Sequence, residues 1–593
     1  VRSPDACAGA LFFPSPVPCF QREASGRDPS PRDLSHHRQE RFLRWTAGLL
    51  AIALPAAGGL LTFLQVIRSA DLGEPGLGAP VALAVSPDGR HLYVAGRDDN
   101  ALVVFARDAT SGHLTFVDAY VEGENGLFGM LGPSGVAVSP DGRHVYVSTR
   151  QDDALVVFAR DPTLDTLSFV EIELDGVHGV DGLDGAASVT VSPDDVLVLV
   201  AGFDDDALAV FRRDPTTDDL TFLAAEIQAV AGVDGLDGAS AVAVSPDSAF
   251  AYLAGALDAA VAVFARDPTN DHFGFVEAST GTALGGVADV TLPADGRNLY
   301  AAAYDDDAVT AFARDASAGT LSLLATYVDG AGGFEGLDGA LSIVLRSQLD
   351  LAFVAGQLDN RVAVLARDPD DGRLFFSQAL ADGEAGIEGL DGPSAVVASP
   401  DGRFLYAAAE FESAVVVFRI DALDFGDAPT PYPTTLGADG ARHDYVPGAP
   451  FLGTAPDADP DGQPASDALG DDLAARPDED GVVFLDPLLP GAAARVEVTV
   501  TAAARLDAWI DFNADGGWGE TGDKIFDDLA VAAGTHTLSF TVPVTATPNV
   551  ATYARFRVSS ASGLGAGGAA ADGEIEDYAL MTVPVELTSF GIE

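Results

Sequence analysis

Along the first two-thirds of the chain, apolar residues come in short runs separated by polar breaks, and the runs recur in sets of four. Val81 to Val85, His91-Leu-Tyr-Val-Ala95, Ala101-Leu-Val-Val-Phe105 and His113-Leu-Thr-Phe-Val117 make the first set. Apolar, β-branched and aromatic residues at this length, with turn signals about every 8–12 residues, predict strands rather than helices. Between the first two runs lies Ser86-Pro-Asp-Gly-Arg90, where proline pre-sets its φ and glycine supplies a positive one, so a tight turn is expected.

The sets repeat. Ser-Pro-Asp returns at Ser86, Ser139, Ser192, Ser245 and Ser399, with weaker equivalents at Leu292-Pro-Ala-Asp295 and near Ser347. Phe-Ala-Arg-Asp or a near variant returns at Phe105, Phe158, Phe211, Phe264, Phe312, Leu365 and Phe418, in steps of 53, 53, 53, 48, 53 and 53 residues. Seven four-stranded units in register predict an all-β fold with a seven-bladed β-propeller over residues 59–421. The Leu-Thr-Phe marker of the fourth strand already occurs at Leu61, before the first complete unit, while the last unit stops after its third strand near Ile420. The propeller should therefore be closed by an N-terminal strand that completes the seventh blade. A solenoid or β-helix is the alternative, and neither explains that complementary cut.

Beyond Ile420 the period is lost. Residues 422–440 form a Pro-, Asp- and Thr-rich linker and the start of a second module. Further strands are expected at Ala494 to Thr501, Arg505 to Phe512, His536 to Val542 and Thr552 to Val558, giving a β-sandwich-like C-terminal module over 424–583 and a tail at 584–593.

Residues 1–40 show no periodicity and are expected to be an unstructured extension. Residues 41–58 have the layout of a signal peptide: Arg41 and Arg44, an apolar segment to Leu54, then Pro55-Ala-Ala-Gly-Gly59. Thr46 to Ile67 can also be read as one uncharged membrane anchor of 22 residues. The signal peptide is preferred because Leu61-Thr-Phe63 belongs to the repeat, leaving no membrane span in the mature chain. Both readings give a secreted or cell-surface protein. Cleavage would remove Cys7 and Cys19, the only cysteines, and with them any disulfide or thiol chemistry.

The chain of 593 residues carries 32 Lys+Arg against 90 Asp+Glu, a formal net charge of −58. Such a surface repels nucleic acid and anionic membranes and attracts cations. High charge alone would fit disorder, but 48% of residues are hydrophobic, enough for sizeable cores. Strand direction locates the acid. Turns between strands two and three, including Asp98-Asp99-Asn100, Asp152-Asp153, Asp204-Asp205-Asp206 and Asp305-Asp306-Asp307, share one face with the loops that join blades. Those loops carry Asp181/Asp184, Asp234/Asp237, Glu335/Asp338 and Glu388/Asp391. The opposite face holds the Phe-Ala-Arg-Asp arginines and the Asp-Gly-Arg turns, where charges are expected to pair locally. Carboxylates about 4 Å apart repel by roughly 1 kcal/mol in water. The rim is open to three readings: solvated acid, ordered cation sites, or Asp and Gly serving the turns alone.

Two stretches of the second module have the spacing of calcium loops. Asp511-x-Asn513-x-Asp515-Gly516 places oxygen ligands at positions 1, 3 and 5 with glycine at 6. The glutamate of an EF-hand's twelfth position is missing, and Glu520 or Asp523 would substitute. Asp457-x-Asp459-x-Asp461-Gly462 repeats the spacing with Pro460 inside. Oxygen donors without cysteine or paired histidine suit calcium rather than zinc. Each stretch also has the composition of a turn that binds nothing.

The repeat Gly182-Leu-Asp-Gly-Ala186 with Val189 to Asp194 resembles the lactonase-like propellers of the 6-phosphogluconolactonase family, with YVTN/WD40-like repeats, over about residues 60–421. The resemblance implies a lactone hydrolase at the channel. Basic residues for a phosphosugar and a general base are hard to find: His178 is the one histidine expected on the acidic rim and a weak catalytic candidate, and the arginine of each blade reads as structural. Asp424-Phe-Gly-Asp-Ala-Pro429, Asp478-Glu-Asp-Gly-Val482, Trp509 to Gly516 and Gly573-Glu-Ile-Glu-Asp-Tyr578 resemble the GEVED-type domain of bacterial secreted and surface proteins. Together these lead to an exported binding or scaffold protein, more non-enzyme than enzyme, with calcium as cofactor. Its partners are expected to be cations and an extracellular protein or glycan. A secreted lactonase-like hydrolase and a purely structural surface protein are the alternatives.

Overall fold

The computed structural model describes residues 60–582, apart from 162–165, 215–218, 282, 347–349, 370, 385, 422, 445, 447–448, 454–461 and 470–479. The expected extension, the signal segment, the tail, and Asp457, Asp459 and Asp461 lie outside the described residues.

Seven antiparallel sheets of four strands form the blades. In the first, Pro80–Val85, His91–Gly96, Ala101–Arg107 and Leu114–Val121 pair in order. The fourth strand starts after His113 and runs four residues past the expected Val117, with a bulge opposite Phe105. Middle strands such as His91–Gly96 are buried along their whole length, because each sheet is covered on both faces by its neighbours. That is why these strands read as continuous apolar runs rather than alternating ones. Leu61–Arg68 pairs antiparallel with Ala414–Ile420, Leu61 facing Ile420, and completes the seventh blade. The N-terminal closing strand is as the marker count requires.

The Ser-Pro-Asp turn is held by its own side chains. Ser86 Oγ donates to Asp88 at 2.6 Å and accepts the His91 N–H at 3.0 Å. The expected local pairing is present, with Arg213, Arg266 and Arg367 meeting Asp195, Asp271 and Asp350 of their own blades, but the recurrent arginine also reaches the preceding blade. Arg160 Nη2 meets Asp88 at 2.8 Å and donates to His91 Nδ1 at 2.8 Å. Arg266 and Arg367 reach Asp194 and Asp295 in the same way, while Arg107 of the first blade meets Asp401 of the last at 2.6 Å. The spacing of blades leaves these guanidinium groups almost wholly buried, where only a specific acceptor set is tolerable. Arg107, Arg213, Arg314 and Arg367 add a tyrosine hydroxyl of the preceding blade. One joint differs: Ile420 stands in the arginine position of the last blade, and Arg346 of the blade before packs so tightly on Gly402 that a Cβ there would overlap it.

In the second module, sheets of three and four strands enclose one apolar core. The four-stranded sheet contains Ala504–Ile510, Ala551–Ser559 and two strands not anticipated, Lys524–Val531 and Glu574–Met581. The last is the Glu-Ile-Glu-Asp-Tyr motif itself. Its carboxylates are buried and each holds a distant segment. Asp577 takes Arg555 through both oxygens, at 2.7 and 2.5 Å, and the Ala428 N–H at 2.8 Å. Glu576 accepts the Asp480 and Gly481 N–H groups, and Glu574 that of Leu452. Arg557 is enclosed by carbonyls of Gly565, Gly567 and Gly568 and by His443 Nε2. Burial and that guanidinium push the His443 ring far below its usual range, so it stays neutral.

Candidate functional site

The acidic face is built by the turn after the second strand of each blade, and its four positions have separate roles. The third position is a clasp. Asp99 accepts the Gly76 and Gly78 N–H groups at 2.7 Å, and Asp152, Asp205, Asp258 and Asp306 do the same work on their own incoming loops. At the fourth position the backbone is left-handed, φ 53° at Asn100 and 51° at Asp153, which Asn and Asp tolerate best among side-chain-bearing residues. Their side chains accept an N–H of the next blade: Asn100 from Gly132, Asp153 from Gly185, Asp206 from Gly238, Asp307 from Gly339 and Asn360 from Gly392. Much of the rim's acid therefore holds loops, since a charged acceptor makes a stronger bond to a backbone N–H than a neutral one.

Between the second and third blades the carboxylates crowd. Ligand oxygens of Asp175, Asp181 and Asp205 lie within 4.8 Å of one another. Burial, and then the Asp175 and Asp181 charges, raise Asp205 above the ordinary carboxylate range. The same three positions recur in later blades, where nitrogen donors of the chain occupy them. In the fourth blade Gln228 replaces the first aspartate, and its amide nitrogen lies 3.0 Å from Asp258 and 3.4 Å from Asp234. In the sixth, Arg361 meets Glu335 at 3.0 Å. In the seventh, Arg68 meets Glu412 at 3.1 Å and Glu388 at 3.9 Å. Among the described residues no amide or guanidinium side chain does this for Asp175, Asp181 and Asp205.

The first turn position changes from blade to blade and rings the mouth of the central channel, a cavity of about 650 Å³ walled by the innermost strands. Arg97, Arg150, Phe203, Tyr304, Gln357 and Glu410 all line it. Arg97 and Gln357 each hold Glu410 at 2.7 Å. Arg150 lies over the Phe203 ring, 4.1 Å from its centre, and no carboxylate among the described residues is paired with it. Inside the channel Asp289 occupies a position that is Ala, Gly or Ser in the other blades. It accepts the Ile343 N–H at 2.9 Å, and burial pushes its carboxyl up to about 6. Neither the ring nor Asp289 is visible from motifs. Aligning the seven units and asking where residue type changes between repeated flanks finds both.

His178 is exposed on a rim loop with a φ of 54° and is not among the channel-lining residues. In the second module Asp511 is fully buried. Its oxygens accept the Ala514 and Gly516 N–H groups at 2.7 and 2.9 Å and the Tyr432 hydroxyl at 2.6 Å, so it organises the loop. Asn513 Nδ2 stands between Asp515 and Glu520, at 3.1 and 2.7 Å, and Asp523 caps the Glu520 N–H at 3.0 Å. The loop brings Asn513, Asp515 and Glu520 together, with an amide donor between the two carboxylates. The Asp515 charge raises Glu520 above its ordinary range.

Comparison with known proteins matches the family described as lactonase, 7-bladed beta-propeller, over residues 48–126, 122–234, 229–335 and 334–425. The GEVED domain matches residues 505–581. A 6-phosphogluconolactonase of Klebsiella pneumoniae is 26% identical over 262 residues, covering 43% of this chain and 71% of that protein. Among solved structures, a periplasmic gluconolactonase of Pseudomonas aeruginosa is 22% identical with a TM-score of 0.44, covering 54% of this chain and 87% of its own. A putative 6-phosphogluconolactonase of Bacteroides uniformis is 23% identical with a TM-score of 0.43, covering 52% and 85%.

Proposed function

Because the chain belongs to the lactonase family of seven-bladed β-propellers and carries a GEVED domain, we propose that it is an exported binding protein that works from the acidic face of its propeller and holds a calcium ion there. The export reading rests on the basic and apolar pattern of residues 41–58, and the ligand of the face is an extracellular protein or glycan. The cation belongs between Asp175, Asp181 and Asp205, because the equivalent acids of three other blades are met by nitrogen donors of the chain. Oxygens within 4.8 Å of one another can share an ion whose bonds are about 2.3–2.6 Å, with carbonyls and water filling a shell of about 6–8 ligands. The rim trio is the better candidate than Asp511 to Asp523, where Asp511 already accepts four donors and an amide nitrogen stands between Asp515 and Glu520.

Thermal melting in low-salt buffer tests this. Calcium at about 100 times its dissociation constant should stabilise the wild type by about 2.7 kcal/mol, and Asp181→Asn should lose most of that gain. An equal gain in the variant would move the ion elsewhere, and no gain in the wild type would remove it.

The channel supports a second reading as a lactone hydrolase. The matched relatives are named for phosphogluconolactone and gluconolactone. An acidic rim opposes a phosphate dianion, so a neutral sugar lactone is the better substrate class. Asp289 would act as general base on water and Arg150 would hold an oxygen of the lactone. A base titrating near 6 is ionised above that value, so hydrolysis should rise as pH passes upward through about 6 and be abolished in Asp289→Asn. His178→Ala should leave it unchanged. A wild type inert toward a lactone panel would eliminate this reading.

A further inference from the structure

We propose that the acidic face docks a basic segment of another polypeptide that also carries apolar side chains. The proposal rests on the reading of this face as the working surface, but not on the calcium ion.

Two sets of residues meet there. Phe128, Val177 and Val230 lie on the loops that join blades, and Leu257, Leu358 and Phe411 on the turns after the second strands; all six are exposed. Phe128 is 63% exposed, Leu257 66% and Phe411 54%. They stand at chosen places. Phe128 holds the position that is Asp181, Asp234, Glu335 or Glu388 in other blades, and Leu257, Leu358 and Phe411 hold the position of Asp98, Asp204 and Asp305. A rim serving only solubility or cations has no use for large apolar groups at those points, and such groups clustered on one face mark an interaction surface. Around them remain exposed carboxylates that no loop clasp uses and no cation among the described residues meets, such as Asp204 and Asp305. Apolar knobs between unneutralised carboxylates are complementary to a chain that alternates lysine or arginine with leucine-like residues. Leu257 stands beside the channel mouth, since it and the channel-lining Phe203 both crowd the position a Cβ on Gly238 would take.

Fluorescence anisotropy in EDTA-containing buffer, with a labelled peptide alternating lysine and leucine and an oligolysine of equal length, tests the proposal. The alternating peptide should bind the wild type at least about tenfold tighter than oligolysine. The variant carrying Phe128→Asp, Leu257→Asp and Phe411→Asp should bind it about tenfold more weakly with an unchanged melting temperature. Adding three carboxylates would tighten a purely electrostatic association, so equal or tighter binding by the variant overturns the proposal. Equal affinity for the two peptides, or no binding by the wild type, overturns it without any variant. Calcium-dependent melting is measured separately, so loss of the ion site and loss of the docking site are distinguishable.

Discussion

Asp577→Ala is expected to unfold the C-terminal module or bring it close to unfolding. Asp577 and Arg555 are both fully buried and joined through both carboxylate oxygens. Removing the acid leaves a guanidinium in the interior with only the Pro433 and Ala566 carbonyls and the Trp518 ring, 4.4 Å away, to face it. It also strands the Ala428 N–H. Breaking a buried pair from one side costs about 3–5 kcal/mol, a large part of the roughly 5–15 kcal/mol that holds a domain. Urea unfolding followed by tryptophan fluorescence reads this directly, since Trp509 and Trp518 lie in the module and the propeller contains no tryptophan. A midpoint unchanged from the wild type would show that the motif's last acid is not structural.

Arg160→Leu should weaken the propeller by about 2 kcal/mol, less than a fully enclosed pair because Asp88 is partly exposed. The loss comprises the Asp88 pair, the His91 ring contact and the Gly142 carbonyl bond. Arg212→Leu serves as the reference: its pair with Asp271 is at the surface, and its loss should cost under about 1 kcal/mol. The joint also sets an acid limit. Burial pushes Asp88 upward, but the Ser86 hydroxyl, Arg160 and the Arg90 N–H outweigh it and hold the carboxyl at about 2. A depressed folded value means the contribution is complete above the ordinary carboxylate range, about 4, and fades as pH falls toward 2. Circular dichroism against pH should therefore show Arg160→Leu and wild type converging in stability below pH 4. Parallel curves would exclude the ion pair as the source.

The propeller was legible because its markers are local. Ser-Pro-Asp makes a turn from its own atoms, and middle strands buried on both sides spell continuous apolar runs. Pairing partners were not legible: Arg160 sits 72 residues from Asp88, and only closure of the sheets onto one another decides that it reaches the neighbouring blade. The acid of the rim was placed on the correct face, yet its work as an acceptor of backbone N–H groups depends on loops 21 and 32 residues away. Glu574 to Met581 escaped as a strand because four of its first five residues are charged or polar and their burial contradicts the usual alternation. Asp289 was missed since an aspartate in an apolar strand carries no motif, only a difference from its six counterparts.

The joints between blades have a consequence for the history of the ring. Asn100 with Gly132, Asp153 with Gly185 and Asp206 with Gly238 are one contact written three times, and so are the arginine pairs of successive blades. Such joints do not distinguish which neighbours they connect. Unequal crossing-over that duplicated or excised one 53-residue unit among the early blades would preserve each joint's chemistry, and the junction would need no new interface. The odd seam, where Ile420 replaces the arginine and Arg346 lies against Gly402, is the place where the chain records its own ends. Copy number is thus left to the curvature that lets Leu61–Arg68 find Ala414–Ile420, and the count of seven is a property of closure rather than of recognition.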